Sequence, residues 1–299
     1  MLYFTQQILL GIHVGAIYAL LAFGYVVLNA LLRRTNLTHG ALFAFCGHTM
    51  ILAALFGWNV LWLTWPAATA FGTAIALAYA LLLGHFLSRH VFEPLRTAAP
   101  NTIVAATLGV ALALMELSRI AANTRDYWLP PMLSQPIVFA ASDAFAVTLT
   151  INQLVGIAVS VVLIGGGWVL LFRTAFGRNW QAVANEPLAA SLCGVNPARI
   201  YAAASVLAAI YAASAGVLAA TYYGNISFGT GLAYGLKILF VTAAGSYVSP
   251  LAAALGAMAY GLGETVWTGY FPAEWRDAWM LAFLTTFLVL RHSGNEEQA

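Results

Sequence analysis

Lys237 is the only lysine in the chain, and it lies inside an apolar run that starts near residue 230. Seven helical residues at about 1.5 Å each place it some 10 Å below the membrane surface if that run is a transmembrane helix. A charge there costs about 3 kcal/mol at mid-helix unless a partner, water or a long stem reaching back to the interface relieves it. Three kinds of chemistry fit: Lys237 contacts a carboxylate-bearing solute on a pathway, pairs with Glu116 or Glu264, or snorkels. Glu116 and Glu264 fall near helix ends, where water contact is expected, and no chain of buried carboxylates forms a proton relay. His39 precedes an apolar run and is expected to hydrogen-bond backbone at a helix entry, since no second ligand stands at i+3 or i+4 for a metal. His13, His48 and His85 are expected to make hydrogen bonds in the core. Cys46 and Cys193 lie far apart and outside any CxxC or Cys/His spacing, so neither zinc nor a disulfide framework is indicated. Asp126, Asp143 and Asp277 fall outside the apolar runs, which leaves no converging nucleophile and base for an intramembrane enzyme.

Uncharged polar residues offer a second kind of chemistry. Two related words, Asn36-Leu37-Thr38-His39-Gly40 and Asn225-Ile226-Ser227-Phe228-Gly229, each open a short apolar run. Asn, Ser and Thr satisfy free N–H groups at a helix start, and glycine permits a tight turn there. Asn36, Thr38, His39, Asn225, Ser227 and Lys237 are therefore the expected pathway residues, because a carboxylate favours the free N–H groups of a helix N-terminus. Ordinary capping explains the two words equally well as an inverted repeat does. A repeat requires them on opposite sides of the membrane.

The elements that must position these residues follow from composition. With 62% hydrophobic and 7% charged residues, a mean hydropathy of +0.85 and a net charge of +2, the chain is a polytopic membrane protein. Nucleic-acid binding is excluded for want of a basic patch. Apolar runs predict helices over 6–30, 40–57, 61–88, 101–121, 151–172, 200–222, 230–246, 249–267 and 278–291. The expected fold is an all-α transmembrane bundle of about eight or nine membrane helices in one domain, residues 1–299. The runs at 40–57 and 230–246 are short enough to be bent or partly unwound. The start MLYFTQQILL lacks the charged region of a cleavable signal, so the first run reads as a permanent helix. Arg33, Arg34, Arg89, Arg96, Arg173, Arg178, Arg199 and Arg291 fall on one side, and Arg119, Arg125 and Arg276 on the other. The richer side should be cytoplasmic, with the N-terminus outside and the C-terminus inside.

A polar loop, residues 173–199, interrupts the apolar pattern. Asn185 or Glu186 is placed to cap a short helix from Pro187 to Cys193, proline suits its first position, and Gly194 suits the left-handed residue beyond its end. Such a capped elbow moves as a unit and transmits a push from a bound protein.

Gly177-Arg178, Ala182, Asn185-Glu186, Ala189-Ala190 and Gly194-Val195 in this loop resemble the corresponding loop of branched-chain amino acid ABC importer permeases. Gly15 to Gly24, Asn36 to Gly40, Glu93 to Arg96, Gly235 to Lys237 and Glu264 also resemble that family in order, with the LivH-like branch nearer. The resemblance implies a permease subunit of an ATP-driven importer, not an enzyme, in the bacterial cytoplasmic (inner) membrane. It implies a second permease subunit, usually a different chain, two ATP-binding subunits and an extracytoplasmic substrate-binding protein. It makes Arg178, Asn185, Glu186, Pro187, Ala189, Ala190, Leu192 and Gly194 the ATPase coupling loop. The chain has no GxxxxGK[ST] phosphate loop, so ATP belongs to the partners and no cofactor is expected here. Two departures from the family pattern, Gly245 to Pro250 and Arg291 to Gly294, bear on the solute, since relatives also carry urea, short amides and other small compounds. A self-contained secondary transporter or channel is the competing reading.

Overall fold

The computed structural model describes residues 2–95, 98–142, 145–245, 247 and 249–296. Each predicted apolar run is a helix. These are α1 (Leu2–Leu32), α2 (Thr38–Asn59), α3 (Trp65–Leu87), α5 (Pro100–Ala121), α6 (Ile151–Arg173), α9 (Pro197–Tyr223), α10 (Thr230–Gly245), α11 (Pro250–Tyr270) and α12 (Arg276–Glu296). A π turn, Ser88–Phe92, and a short α4, Glu93–Leu95, extend α3. Two further short helices, α7 (Ala175–Asn185) and α8 (Pro187–Leu192), form the polar loop. Neither α2 nor α10 is broken: α2 runs 22 residues and α10 runs 16 without interruption.

Among the described residues, α1, α2, α3 with its extension, α5, α6 and α9 are long and apolar enough to cross a membrane unaided. The others are α10, which is short, and α11 and α12, which carry Glu264, Arg276 and Asp277. The helices least able to enter lipid alone thus bear the interior charges.

α1 is the axis of the bundle, and every residue from Gly15 to Leu31 is buried. Lipid supplies no hydrophobic drive between helices, so close approach depends on small residues. Gly40 of α2 meets Gly235 of α10 so closely that a Cβ on Gly40 would lie 2.3 Å from the Gly235 Cα. Gly40 was expected to ease a turn, yet it lies within the helix and serves this crossing. Gly229, its counterpart in the second word, meets nothing.

The main packing pairs recur under exchange of α1, α2, α3 and α5 for α9, α10, α11 and α12, although α2 packs on α9 far more extensively than α10 does on α1. Where α1 packs on α11, α9 packs on α3; where α2 packs on α3 and α5, α10 packs on α11 and α12; and α1–α9 and α2–α10 meet at the centre. The exchanged helices run in opposite senses, with α1 starting at one end of the bundle and α9 at the other. This is the arrangement an inverted repeat produces.

One element departs from the all-α expectation. Strands β1 (Pro136–Ser142) and β2 (Phe145–Thr150) form an antiparallel hairpin before α6. Gln6 of α1 acts as a third strand residue: its Nε2 donates to the Thr148 carbonyl at 2.9 Å and its Oε1 accepts from the Thr148 N–H at 2.8 Å. Leu129 N–H donates to the Gly224 carbonyl at 2.8 Å, which ties the preceding segment to the end of α9. The bundle therefore has a hairpin end and, opposite it, an end formed by the polar loop.

Candidate solute pathway and coupling elbow

At the hairpin end, α10, α11 and α12 bring four charges together. Lys237 Nζ lies 3.2 Å from Glu264 Oε1 and 2.9 Å from Asp277 Oδ1. Arg276 Nε lies 3.0 Å from each of the same two oxygens. Lys237 and Glu264 are buried, while Asp277 is half exposed. The quartet is neutral, which is how two full charges survive burial, since each ion is matched at contact distance. Lys237 Nζ also lies 5.7 Å from the centre of the Tyr234 ring, a weaker cation–π contact.

Of the two expected partners of Lys237, Glu264 is a real one and Glu116 is not. Glu116 instead pairs with Arg119 at 2.7 Å on the surface of α5. Glu264 was expected to meet water but is enclosed, because α12 folds Arg276 over it. Asp277 is a partner that sequence reasoning missed. Its signal was an acid directly after Arg276, both at the start of a helix.

The six expected pathway residues divide between the two ends. At the elbow end Asn36 Oδ1 accepts from the Thr38 N–H at 3.0 Å and so caps the start of α2. Thr38 Oγ1 donates to the Thr107 carbonyl of α5 at 3.2 Å, and His39 Nε2 lies 2.9 Å from the Leu21 carbonyl of α1. All three are buried, and Thr38 and His39 fix α2 to its neighbours. At the hairpin end Asn225 is half-buried and Ser227 exposed, with Ser227 Oγ 2.8 Å from Thr230 Oγ1 at the start of α10. The other histidines differ: His13 Nδ1 is 3.2 Å from the Gln153 carbonyl, His48 Nδ1 is buried without a hydrogen-bond partner among the described residues, and His85 is exposed on α3 instead of lying in the core.

The elbow is α7 and α8. Thr174 Oγ1 accepts from the Gly177 N–H at the start of α7, and Trp180 Nε1 donates to the Val27 carbonyl of α1 at 2.9 Å. Arg33, just past α1, donates to the Ala184 and Asn185 carbonyls at 2.6 and 2.9 Å, where the end of a helix leaves carbonyls free. α8 begins with Pro187 as expected, but Glu186 makes no side-chain cap, and Asn185 belongs to α7. Gly194 follows with φ +85°, and Asn196 Oδ1 caps α9 by accepting from the Arg199 N–H at 3.2 Å. Arg178, Asn185, Glu186, Ala189, Leu192 and Gly194 are exposed, Pro187 is half-buried, and Ala190 is buried against the bundle. Leu188 and Leu192, one turn apart, are 69% and 83% exposed and form an apolar knob.

Arg33, Arg34, Arg89, Arg173, Arg178 and Arg199 gather at the elbow end, and Arg119, Arg125 and Arg276 at the hairpin end. Arg96, Asp143, Ser246, Val248 and the side chains from Arg291 to Gly294 lie outside the described residues.

Residues 7–290 match the family described as the permease component of the branched-chain amino acid transport system. The chain belongs to that family. It is 28% identical over 297 residues to the high-affinity branched-chain amino acid transport system permease protein LivH of Salmonella typhimurium, covering 98% of this chain and 95% of that protein. The permease protein BraD of Pseudomonas aeruginosa is 25% identical with the same two coverages. The autoinducer 2 import system permease protein LsrC of Klebsiella pneumoniae is 34% identical over 48% of this chain and 43% of its own length. No solved structure matches. The chain is a multi-pass membrane permease with the bundle described above.

Proposed function

We propose that this chain is one permease subunit of an ATP-driven importer for branched-chain amino acids or related small polar solutes. The observation that carries this reading is the family match from residue 7 to 290, together with full-length relatives that are named as permeases of such systems. The chain itself performs no catalysis. ATP is bound by two partner subunits that dock on the elbow, a second permease of a different sequence completes the membrane unit, and an extracytoplasmic binding protein delivers the solute. The elbow suits the docking role because Arg33 and Trp180 tie it to α1, so a push on α8 reaches the bundle axis. The protein sits in the bacterial inner membrane with the arginine-rich elbow end in the cytoplasm and the N-terminus outside. The route runs alongside α2 and α10, entered past Asn225, Ser227 and Lys237 and left past Asn36, with Thr38 and His39 holding α2 in place.

Reconstitution tests this. Proteoliposomes holding the chain with its second permease, ATPase and binding protein should accumulate L-leucine only when ATP is inside or otherwise available to the ATPase. A tagged chain that purifies alone and carries solute without ATP would make it a secondary transporter or channel instead.

A further inference from the structure

Where α1 ends, a cavity of about 460 Å³ opens at the elbow end of the bundle, bounded by that helix end, the end of α7 and Tyr247. Arg33 and Arg34 line it, together with Tyr25 and Asn29, two turns and one turn back along α1. Tyr25 and Asn29 are 2% and 6% exposed, yet the Tyr25 hydroxyl and Asn29 Oδ1 have no hydrogen-bond partner among the described residues. The Tyr25 oxygen lies beside the Asn36 backbone N–H, so what it lacks is an acceptor for its own proton. Asn29 Oδ1 lacks a donor. Native interiors rarely leave such atoms unmet.

The two arginines also have donors to spare. Arg33 takes φ +50° at a helix end where glycine is usual, and among the described residues only its Nη2 is engaged, on the Ala184 and Asn185 carbonyls. Arg34 reaches only its neighbour's carbonyl, at 3.4 Å. Among the described residues neither guanidinium pairs with a carboxylate, and no acidic side chain lines the cavity. We infer that this cavity binds a phosphate ester that carries a free hydroxyl. The phosphate accepts from Arg34, from the unused nitrogens of Arg33 and from the Tyr25 hydroxyl, while the hydroxyl of the ester donates to Asn29 Oδ1. A phosphomonoester brings about −1.5 to −2 charges at neutral pH, which matches two guanidiniums, and the planar fork of arginine suits its oxygens. Water alone satisfies Tyr25 and Asn29 but supplies no counter-anion. In the proposed orientation the cavity faces the cytoplasm, where the group comes either from a soluble ester or from the headgroup of phosphatidylglycerol. Because the walls are the ends of α1 and α7, a bound ester joins the elbow to the bundle axis.

The test takes the purified full chain in phosphatidylcholine nanodiscs and titrates it with glycerol 3-phosphate in a calorimeter. One equivalent should bind saturably, and glycerol at the same concentration should not. Tyr25→Phe and Arg34→Gln should each weaken binding by about tenfold, the scale of one hydrogen bond to a charged group, and leave the thermal stability of the unliganded chain unchanged, since neither group holds another element. Tyr25→Phe separates the cavity from a general attraction to positive charge, which that substitution would not alter. Native mass spectrometry of the chain taken from bacterial membranes distinguishes the source. One phosphatidylglycerol retained by the wild type and lost from the double variant assigns the site to the headgroup; binding of glycerol 3-phosphate without retained lipid assigns it to a soluble ester. Neither ligand bound, or both variants binding as tightly as the wild type, would overturn the inference.

Discussion

Lys237 and Glu264 are the two buried members of the quartet, each with a second partner on α12. Removing one of the two leaves the quartet with an unmatched charge, at a cost below the about 3–5 kcal/mol of an isolated buried pair because Arg276 still meets Glu264, whereas removing both keeps the group neutral. Lys237→Met should therefore lower the thermal stability of the purified chain clearly, and Lys237→Met with Glu264→Gln should recover much of the loss. A single substitution without effect on unfolding would show that the pair does not anchor α10 to α11. Lys237→Met should also depress uptake in the assembled transporter, and uptake at the wild-type rate would remove Lys237 from the pathway. The sequence made Lys237 conspicuous, because one cation in an apolar run needs a partner, and it offered Glu264 as a candidate. It could not single out Asp277, since that contact depends on how α12 folds back over α11 after the turn near Pro272.

At the scale of elements, the elbow separates residues that hold it from residues that present it. Trp180, Val183 and Ala190 are buried, while Leu188 and Leu192 point away from the bundle. An exposed leucine pair on a short helix is costly to leave in water and gains about 1.5–3 kcal/mol per side chain when a partner covers it. Leu188→Ser with Leu192→Ser should therefore reduce co-purification of the ATPase by tenfold or more and leave the thermal stability of the isolated chain within a degree or two. A fall in that stability would show instead that α8 packs on its own bundle. Pro187 and Gly194 made this elbow legible, because proline favours a helix start and φ +85° favours glycine. The β hairpin was not legible. Its β2 segment, FAVTLT, does alternate, with Val147 and Leu149 buried, but two strands are marginal alone, and what secures them is Gln6, more than a hundred residues away.

Across the whole molecule, helix positions were readable because lipid demands long apolar runs, and the opposite senses of the two Asn-initiated helices followed from counting those runs. The partners in the inverted arrangement were not readable, since Gly40 meets Gly235 and Gly231 rather than the glycine that its matching word supplies. Orientation is the whole-molecule property that now rests on charge alone. Two native cysteines can test it. Cys193 is exposed in the elbow and Cys46 is buried in α2, so only the first should react with a membrane-impermeant maleimide. With the arginine-rich end in the cytoplasm, the chain expressed without its ATPase should stay unlabelled in right-side-out spheroplasts and label in inside-out vesicles. Cys193→Ser should abolish that signal, which excludes a contribution from Cys46. Labelling in intact spheroplasts would place the elbow outside the cell, where no ATP-hydrolysing subunit could dock on it. The arginine count and the ATP-driven mechanism would then fall together, because both require the elbow to face the same compartment as ATP.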